Sequence, residues 1–294
     1  MVSQNLKNTT MEIDYSMINK ELQGDKGLIK IIRKRHLPQT VAMAELAQNE
    51  FERTINNFKN IDFALDKLLM LEYEIFLKKQ KEITEKFIEY ADKEADSSVF
   101  PNVRKIIDEY KNSSLLQSEP TTILSGIVNV IVSLADSNRQ SRVSRSGSSL
   151  MNHISYLLIK KGFIFQKDYQ REFVLKKGCK LDFFFPNLNI YNEEPKNCCA
   201  VACQTTSNDR FRLTFAQMPN DTRNRACTAI GNSNFGEKLG PSSLTDNKLE
   251  EAKSNGVKFV IFSNAIDERL KNSKTVISYQ EWFEELEMIK RFWQ

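Results

Sequence analysis

Apolar positions recur with helical spacing through the first half of the chain and gather in short blocks through the second. Leu69, Phe76, Ile83 and Tyr90 fall seven residues apart, and Leu65, Leu68, Ile75 and Phe87 fill the adjacent positions. That spacing predicts a long helix within 40–95 with one wide apolar face, read as core or a dimer seam. Pro101 opens a second helix that runs to about Tyr110. After Pro120 the run TTILSGIVNVIVSLAD is apolar nearly all round and predicts a buried helix. Residues 1–40 are polar, with a basic knot at 30–36 closed by Leu37-Pro38. Regular structure should stop before that proline. The knot reads either as a DNA-touching arm or as a solvated helix end.

From 137 to 149 the sequence SNRQSRVSRSGSS is rich in Ser and Arg and reads as a connector. It divides the chain into a helical N-terminal region, 1–137, and a second domain, 138–294. Ser148 or Ser149 can cap a helix with apolar face Leu150, Ile154, Leu157 and Leu158, ended by Gly162. Short apolar blocks at 163–165, 169–175, 180–185, 198–203 and 257–262 predict strands, the last fully apolar as in a central position. Helices are expected to start at 209–217, to span 244–254 after a cap at Ser242 or Ser243, and to close the chain at 279–292. Residues 186–197 and 219–241 are expected to be loops. This order predicts an α/β domain with a central mixed β-sheet flanked by helices.

Composition narrows the class. The chain has 294 residues, 40% hydrophobic and 27% charged, enough for one large domain or two smaller ones. No apolar run approaches the roughly 20 residues of a membrane span. The first residues lack a basic-then-apolar signal pattern, so a cytoplasmic protein with no membrane partner is expected. The five Cys lack zinc-site spacing and read as small buried residues. The net charge is only +4, yet 139–182 holds ten bases and three acids. Such concentration suits a polyanion partner or a solvated face equally well.

The candidate chemistry lies at 178–212. Asp182 opens an apolar run, Phe183-Phe184-Phe185, and Gln204 ends another, Cys198-Cys199-Ala200-Val201-Ala202-Cys203. Asp182 and Gln204 could face each other across neighbouring strands, with the main-chain carbonyl of Cys203 and the Asp182 carboxylate offered to a Mg²⁺ ion. The plain alternative is an Asp beside a turn and a Gln at a strand end, both solvated. Against it, an isolated acid beside three Phe is costly without a cation or partner. Arg210 and Arg212 follow in a stretch suited to phosphate oxygens. Arg223, Asn224 and Arg225, in the expected 219–241 loop, are candidates for reading bases, since Arg suits guanine and Asn suits adenine.

The span from Arg142 to Phe262 resembles the catalytic domain of EcoRII-type restriction endonucleases, within the PD-(D/E)XK nucleases. The shared pattern is S-R-x-G-x-S-L at 144–150, then His153, then G-x-K-x-D-F-x-F-P at 178–186, Tyr191, and T-T-x-x-D-R-x-R at 205–212. The resemblance implies a Mg²⁺-dependent type II restriction endonuclease, usually a homodimer, that hydrolyses double-stranded DNA at a short specific site. It implies active-site roles for Asp182, Tyr191 and Arg210. Arg142 and Arg145, in the basic stretch, are candidate DNA contacts by charge. Two departures stand out: Gln204 where the family has Lys, and Met151 where its helix commonly has Glu. Gln at that position occurs in some active nucleases of the superfamily, but Gln cannot act as a base. Glu172 is a candidate replacement acid. The alternatives are a nuclease-fold protein that binds DNA without cutting, and a repair or junction nuclease.

Overall fold

The structure, a computed structural model, describes residues 15–93, 98–111, 120–176, 179–204, 215, 218–233 and 240–293. Two compact units divide it: 1–38 with 77–143, and 39–76 with 144–294. The division is therefore not a single cut near 137. Residues 39–76 belong with the C-terminal part, because their apolar side chains are buried in its core.

The first unit is helical. It contains α1 (Tyr15–Gln23), α2 (Leu28–His36), the C-terminal part of α4 (Ile61–Lys93), α5 (Pro101–Lys111) and the N-terminal part of α6 (Pro120–Lys160). Ile18, Leu22, Leu28, Ile29, Ile32, Ile83, Phe87, Phe100 and Val103 form its core. Glu21 accepts from the backbone N–H groups of Asn102 and Val103, capping the start of α5 (3.1 and 2.9 Å). Arg33 donates to the carbonyl of Ser137 at 2.7 Å.

The expected helix over 40–95 is two helices, α3 (Thr40–Thr54) and α4. Between them Asn56 takes a positive φ of 45° and Asn60 accepts from Phe63 N–H at 2.9 Å, a stop followed by a cap. The expected connector at 137–149 is also corrected: it is helical, part of the unbroken α6. Its polar, Ser- and Arg-rich turns lie between the buried residues Ser133 and Leu134 on one side and Ser149 and Leu150 on the other.

The second unit carries a mixed six-stranded sheet in sequential order: β1 (Gln170–Lys176), β2 (Cys179–Phe185), β3 (Cys199–Cys203), β4 (Arg223–Cys227), β5 (Val257–Ile261) and β6 (Val276–Ser278). The first three strands are antiparallel neighbours and β3 to β6 run parallel. β3 is buried at every position, which explains its unbroken apolar sequence. The block at 163–165 forms only an isolated bridge, Phe165 to Tyr169.

Helical layers cover both faces. One core joins Phe51, Leu65, Leu68, Leu150, Ile154 and Leu157 to Phe183, Phe185 and Val201, and includes Trp282 and Phe283 of α10 (Tyr279–Lys290). The other packs Phe184, Ala200 and Phe259 against Leu249 of α8 (Asp246–Ser254) and Leu270 of α9 (Glu268–Ser273). α8 and α9, the crossovers from β4 to β5 and from β5 to β6, thus share one face, as same-handed parallel connections require.

Residues 186–197, expected as loop, include α7 (Leu188–Glu193), capped by the Asn187 side chain. The expected loop at 219–241 is corrected too, since 223–227 is β4. The expected helix at 209–217 lies outside the described residues apart from Phe215. Ser278 and Glu281 form a reciprocal capping box on α10. No helix among the described residues is long and apolar enough to cross a membrane.

Candidate active site around Asp182

Asp182 sits in β2, whose register with β3 pairs Phe183 with Val201 and Phe184 with Ala200. Its Oδ2 accepts the backbone N–H of Cys203 at 2.6 Å. The strand pattern therefore brings the carboxylate to the C-terminal end of β3, where Gln204 follows at once. The Gln204 N–H donates to the carbonyl of Cys227 at 2.9 Å, fixing the chain at that point. Burial pushes the Asp182 carboxyl above the usual carboxylate range; the Cys203 N–H, Lys180 and Arg171 partly oppose it, and Glu172 adds to it.

β1 supplies the neighbouring charges. Arg171 is in register with Phe183 and Phe173 with Leu181, so Glu172 lies opposite Asp182. Glu172 has a φ of 50°, rare for a residue with a side chain, and pairs with Lys180 at 3.1 Å. Leu181 packs in one core and Phe183 in the other, so the usual side-to-side alternation of β2 breaks at Asp182. Residues 171, 172 and 180 belong to the surroundings of Asp182. Their signal in the sequence is faint: a hairpin register that only the folded sheet makes explicit.

The other candidates are distributed unevenly. The Cys203 thiol is buried and pushed well above the usual range by burial and by its hydrogen bond with Cys227. It is a neutral thiol, which leaves only the main-chain carbonyl of Cys203 for a cation. The Tyr191 hydroxyl donates to Asp221 at 3.3 Å, and its ring meets Phe184 edge-on at 5.8 Å. The tyrosine is thus tied to the turn before β4. Arg210 and Arg212 lie outside the described residues.

Arg223, Asn224 and Arg225 are not in a base-reading loop. Asn224 and Arg225 are buried within β4. Arg225 Nε and Nη2 donate to Glu285 of α10 at 3.1 and 2.6 Å, and Arg223 Nη1 donates to the same carboxylate at 2.9 Å. Asn224 Nδ2 donates to the carbonyl of Pro219 at 2.6 Å. The two arginines hold the sheet to its helix, and the asparagine holds the turn before β4. Burial alone would raise the Glu285 carboxyl, but the two guanidiniums outweigh it and hold it below the usual range.

Arg142 is exposed and lies in the first unit, whereas Arg145 lies in the second. Burial lowers the Arg145 guanidinium pKa, and the charge of Glu72 opposes that shift. Nearby, Glu72 Oε2 accepts from Ser149 Oγ at 2.7 Å and lies 2.7 Å from Nε2 of the fully buried His153. His153 of the sequence pattern is therefore a core residue of the helix pair.

Among the described residues, no group of three or more His, Cys, Asp or Glu side chains could hold a metal ion. The donor set they offer at Asp182 is one carboxylate and one main-chain carbonyl. Such a set fits Mg²⁺, which keeps several waters and takes one or two carboxylates together with substrate phosphates.

Comparison with known proteins places this geometry. Residues 105–229 match the family model EcoRII-C, described as EcoRII C terminal. The type II restriction enzyme EcoRII of Escherichia coli is 31% identical over 90 residues, 30% of this chain and 22% of that enzyme. The match thus spans about a fifth of the length of this curated relative. Two solved structures superpose over most of the chain. Metal-depleted Ecl18kI in complex with uncleaved DNA has a TM-score of 0.65 at 16% identity, covering 96% of this chain and 86% of that one. The PspGI restriction endonuclease–substrate DNA complex has a TM-score of 0.55 at 14% identity, covering 87% and 94%. The chain has a restriction-endonuclease-like fold.

Proposed function

We propose that this protein is a type II site-specific endonuclease, which hydrolyses phosphodiester bonds of double-stranded DNA with Mg²⁺, as a cytoplasmic homodimer. The observation that carries the reading is Asp182, a half-buried carboxylate anchored by the Cys203 N–H in a sheet shared with DNA-bound restriction endonucleases. Asp182 and the Cys203 carbonyl would hold the metal. When bound, it would supply charge neutralisation at the scissile phosphate and activation of water.

This chain's own groups do the rest. The Cys203 N–H fixes which oxygen of Asp182 is occupied, leaving Oδ1 for the cation. Gln204, held by its backbone at the strand end, can orient a water or a phosphate oxygen through its amide but cannot take up a proton. The proton therefore passes to solvent or to the substrate phosphate. Incubation of phage DNA with the protein and Mg²⁺ should give discrete fragments. No cleavage in any divalent metal would count against the reading.

A second reading is a DNA-binding protein that does not cut. The neutral Gln204 and the one-carboxylate donor set among the described residues favour it. It predicts salt-sensitive gel shifts without cleavage, and a Gln204→Lys variant that gains activity.

A further inference from the structure

Arg171 is tied down on three sides. Its Nη2 donates to Asn152 Oδ1 of α6 at 2.9 Å, and its Cζ stands 5.9 Å from the centroid of the Phe183 ring. Its backbone is paired with Phe183, the residue after Asp182. It makes no ion pair among the described residues. Lys180, the other cation near Asp182, is engaged by Glu172. A guanidinium has five N–H donors in a planar fork that matches phosphate oxygens, and one donor is spent on Asn152.

Two further features converge on the same place. Asn152 is only 7% exposed, and its Nδ2 has no hydrogen-bond partner among the described residues. Buried amides are normally satisfied, so an orphan donor beside the Arg171 contact is a cost to the fold that a function can account for. Glu172, opposite Asp182, takes a left-handed φ of 50° while the pairing on either side of it keeps one register. Residues held in such sparsely populated backbone regions cluster at active sites.

We propose that Arg171, anchored by Asn152, binds a non-bridging oxygen of the scissile phosphate beside Asp182 and supplies the positive charge that Gln204 lacks. The assignment rests on the nuclease reading. Anchoring makes the guanidinium a preorganised group, one whose electrostatic benefit needs no rearrangement at the moment of reaction.

The test compares wild type, Arg171→Gln, Arg171→Lys and Asn152→Ala, each checked for an unchanged melting transition. Phage DNA cleavage with Mg²⁺ and the salt dependence of binding to a DNA duplex are measured. Arg171→Gln should slow cleavage by about 10²–10³-fold, the scale of losing one preorganised donor. Its log–log salt slope should become shallower by about 0.9, one phosphate contact. Arg171→Lys should keep the slope and lose less rate. Cleavage by Arg171→Gln within about three-fold of wild type, with an unchanged slope, overturns the assignment while leaving the nuclease reading intact. If wild type binds but does not cut, the slope alone decides in the same way. A wild type that neither binds nor cuts overturns both. Should Arg171→Gln fail to fold, Asn152→Ala takes its place. A cleavage loss of about ten-fold supports the anchor, on the scale of removing an orienting partner, and no loss overturns it.

Discussion

Asp182 shows how one residue can be costly to the fold and useful to the site. Its carboxylate is half-buried between apolar strands and carries one backbone hydrogen bond. Burial raises its pKa, so the native state binds this proton more tightly than the unfolded chain. The stability linked to it is therefore present below the unfolded value and falls as pH rises through the raised native value. At pH 7 the charged form is a penalty. Asp182→Asn should abolish Mg²⁺-dependent cleavage and raise the melting temperature at pH 7, with the gain shrinking toward acid where Asp182 is itself protonated. Calorimetry of both proteins across pH checks the sign. At this scale the sequence is informative about Asp182 and Gln204, whose types and neighbours stand in the chain. It is silent on Arg171 and Asn152, which meet only because α6 packs against β1.

At the scale of elements, β4 is the instructive case. Its sequence, Arg223-Asn224-Arg225-Ala226-Cys227, reads as a polar loop, yet it is a central strand with Asn224 and Arg225 buried. No local pattern could reveal this, because the compensating charge, Glu285, is 60 residues from Arg225. The strands β2, β3 and β5 are legible because their burial is met largely by apolar side chains. α10 is legible as well, while the polar middle of α6 is not, since solvated helical turns and a connector share one composition. The β4–α10 tie can be measured directly. Arg225→Ala leaves Glu285 without its main partner in a site 17% exposed, and should cost about 3–5 kcal/mol in chemical denaturation. Because Glu285 is held below the usual range, the stability it contributes is present above its unfolded pKa and lost as pH falls through the native one. That acid sensitivity should weaken in Arg225→Ala. Ser278→Ala, which removes one half of the α10 capping box, should cost about 1 kcal/mol.

At the scale of the whole molecule, the division of the chain differs from a cut at 137. Phe51, Ile61, Leu65, Leu68 and Leu69 belong to the core that also holds Leu150, Phe183 and Trp282. Each such side chain contributes about 1.5–3 kcal/mol on burial, and their sum rivals the about 5–15 kcal/mol stability of a typical protein. A fragment of residues 138–294 should therefore show no cooperative melt, whereas the full chain should show one. Circular dichroism on heating checks this, and a cooperative transition in the fragment would refute it.

If the Asp182 site cuts DNA, cleavage must depend on both this carboxylate and the metal. The most direct measurement is digestion of phage DNA by wild type and Asp182→Asn side by side, with Mg²⁺ and with a chelator. Discrete fragments are expected from wild type with Mg²⁺ alone, and intact DNA in every other lane. Intact DNA in all lanes, or equal cleavage by Asp182→Asn, would contradict the nuclease reading.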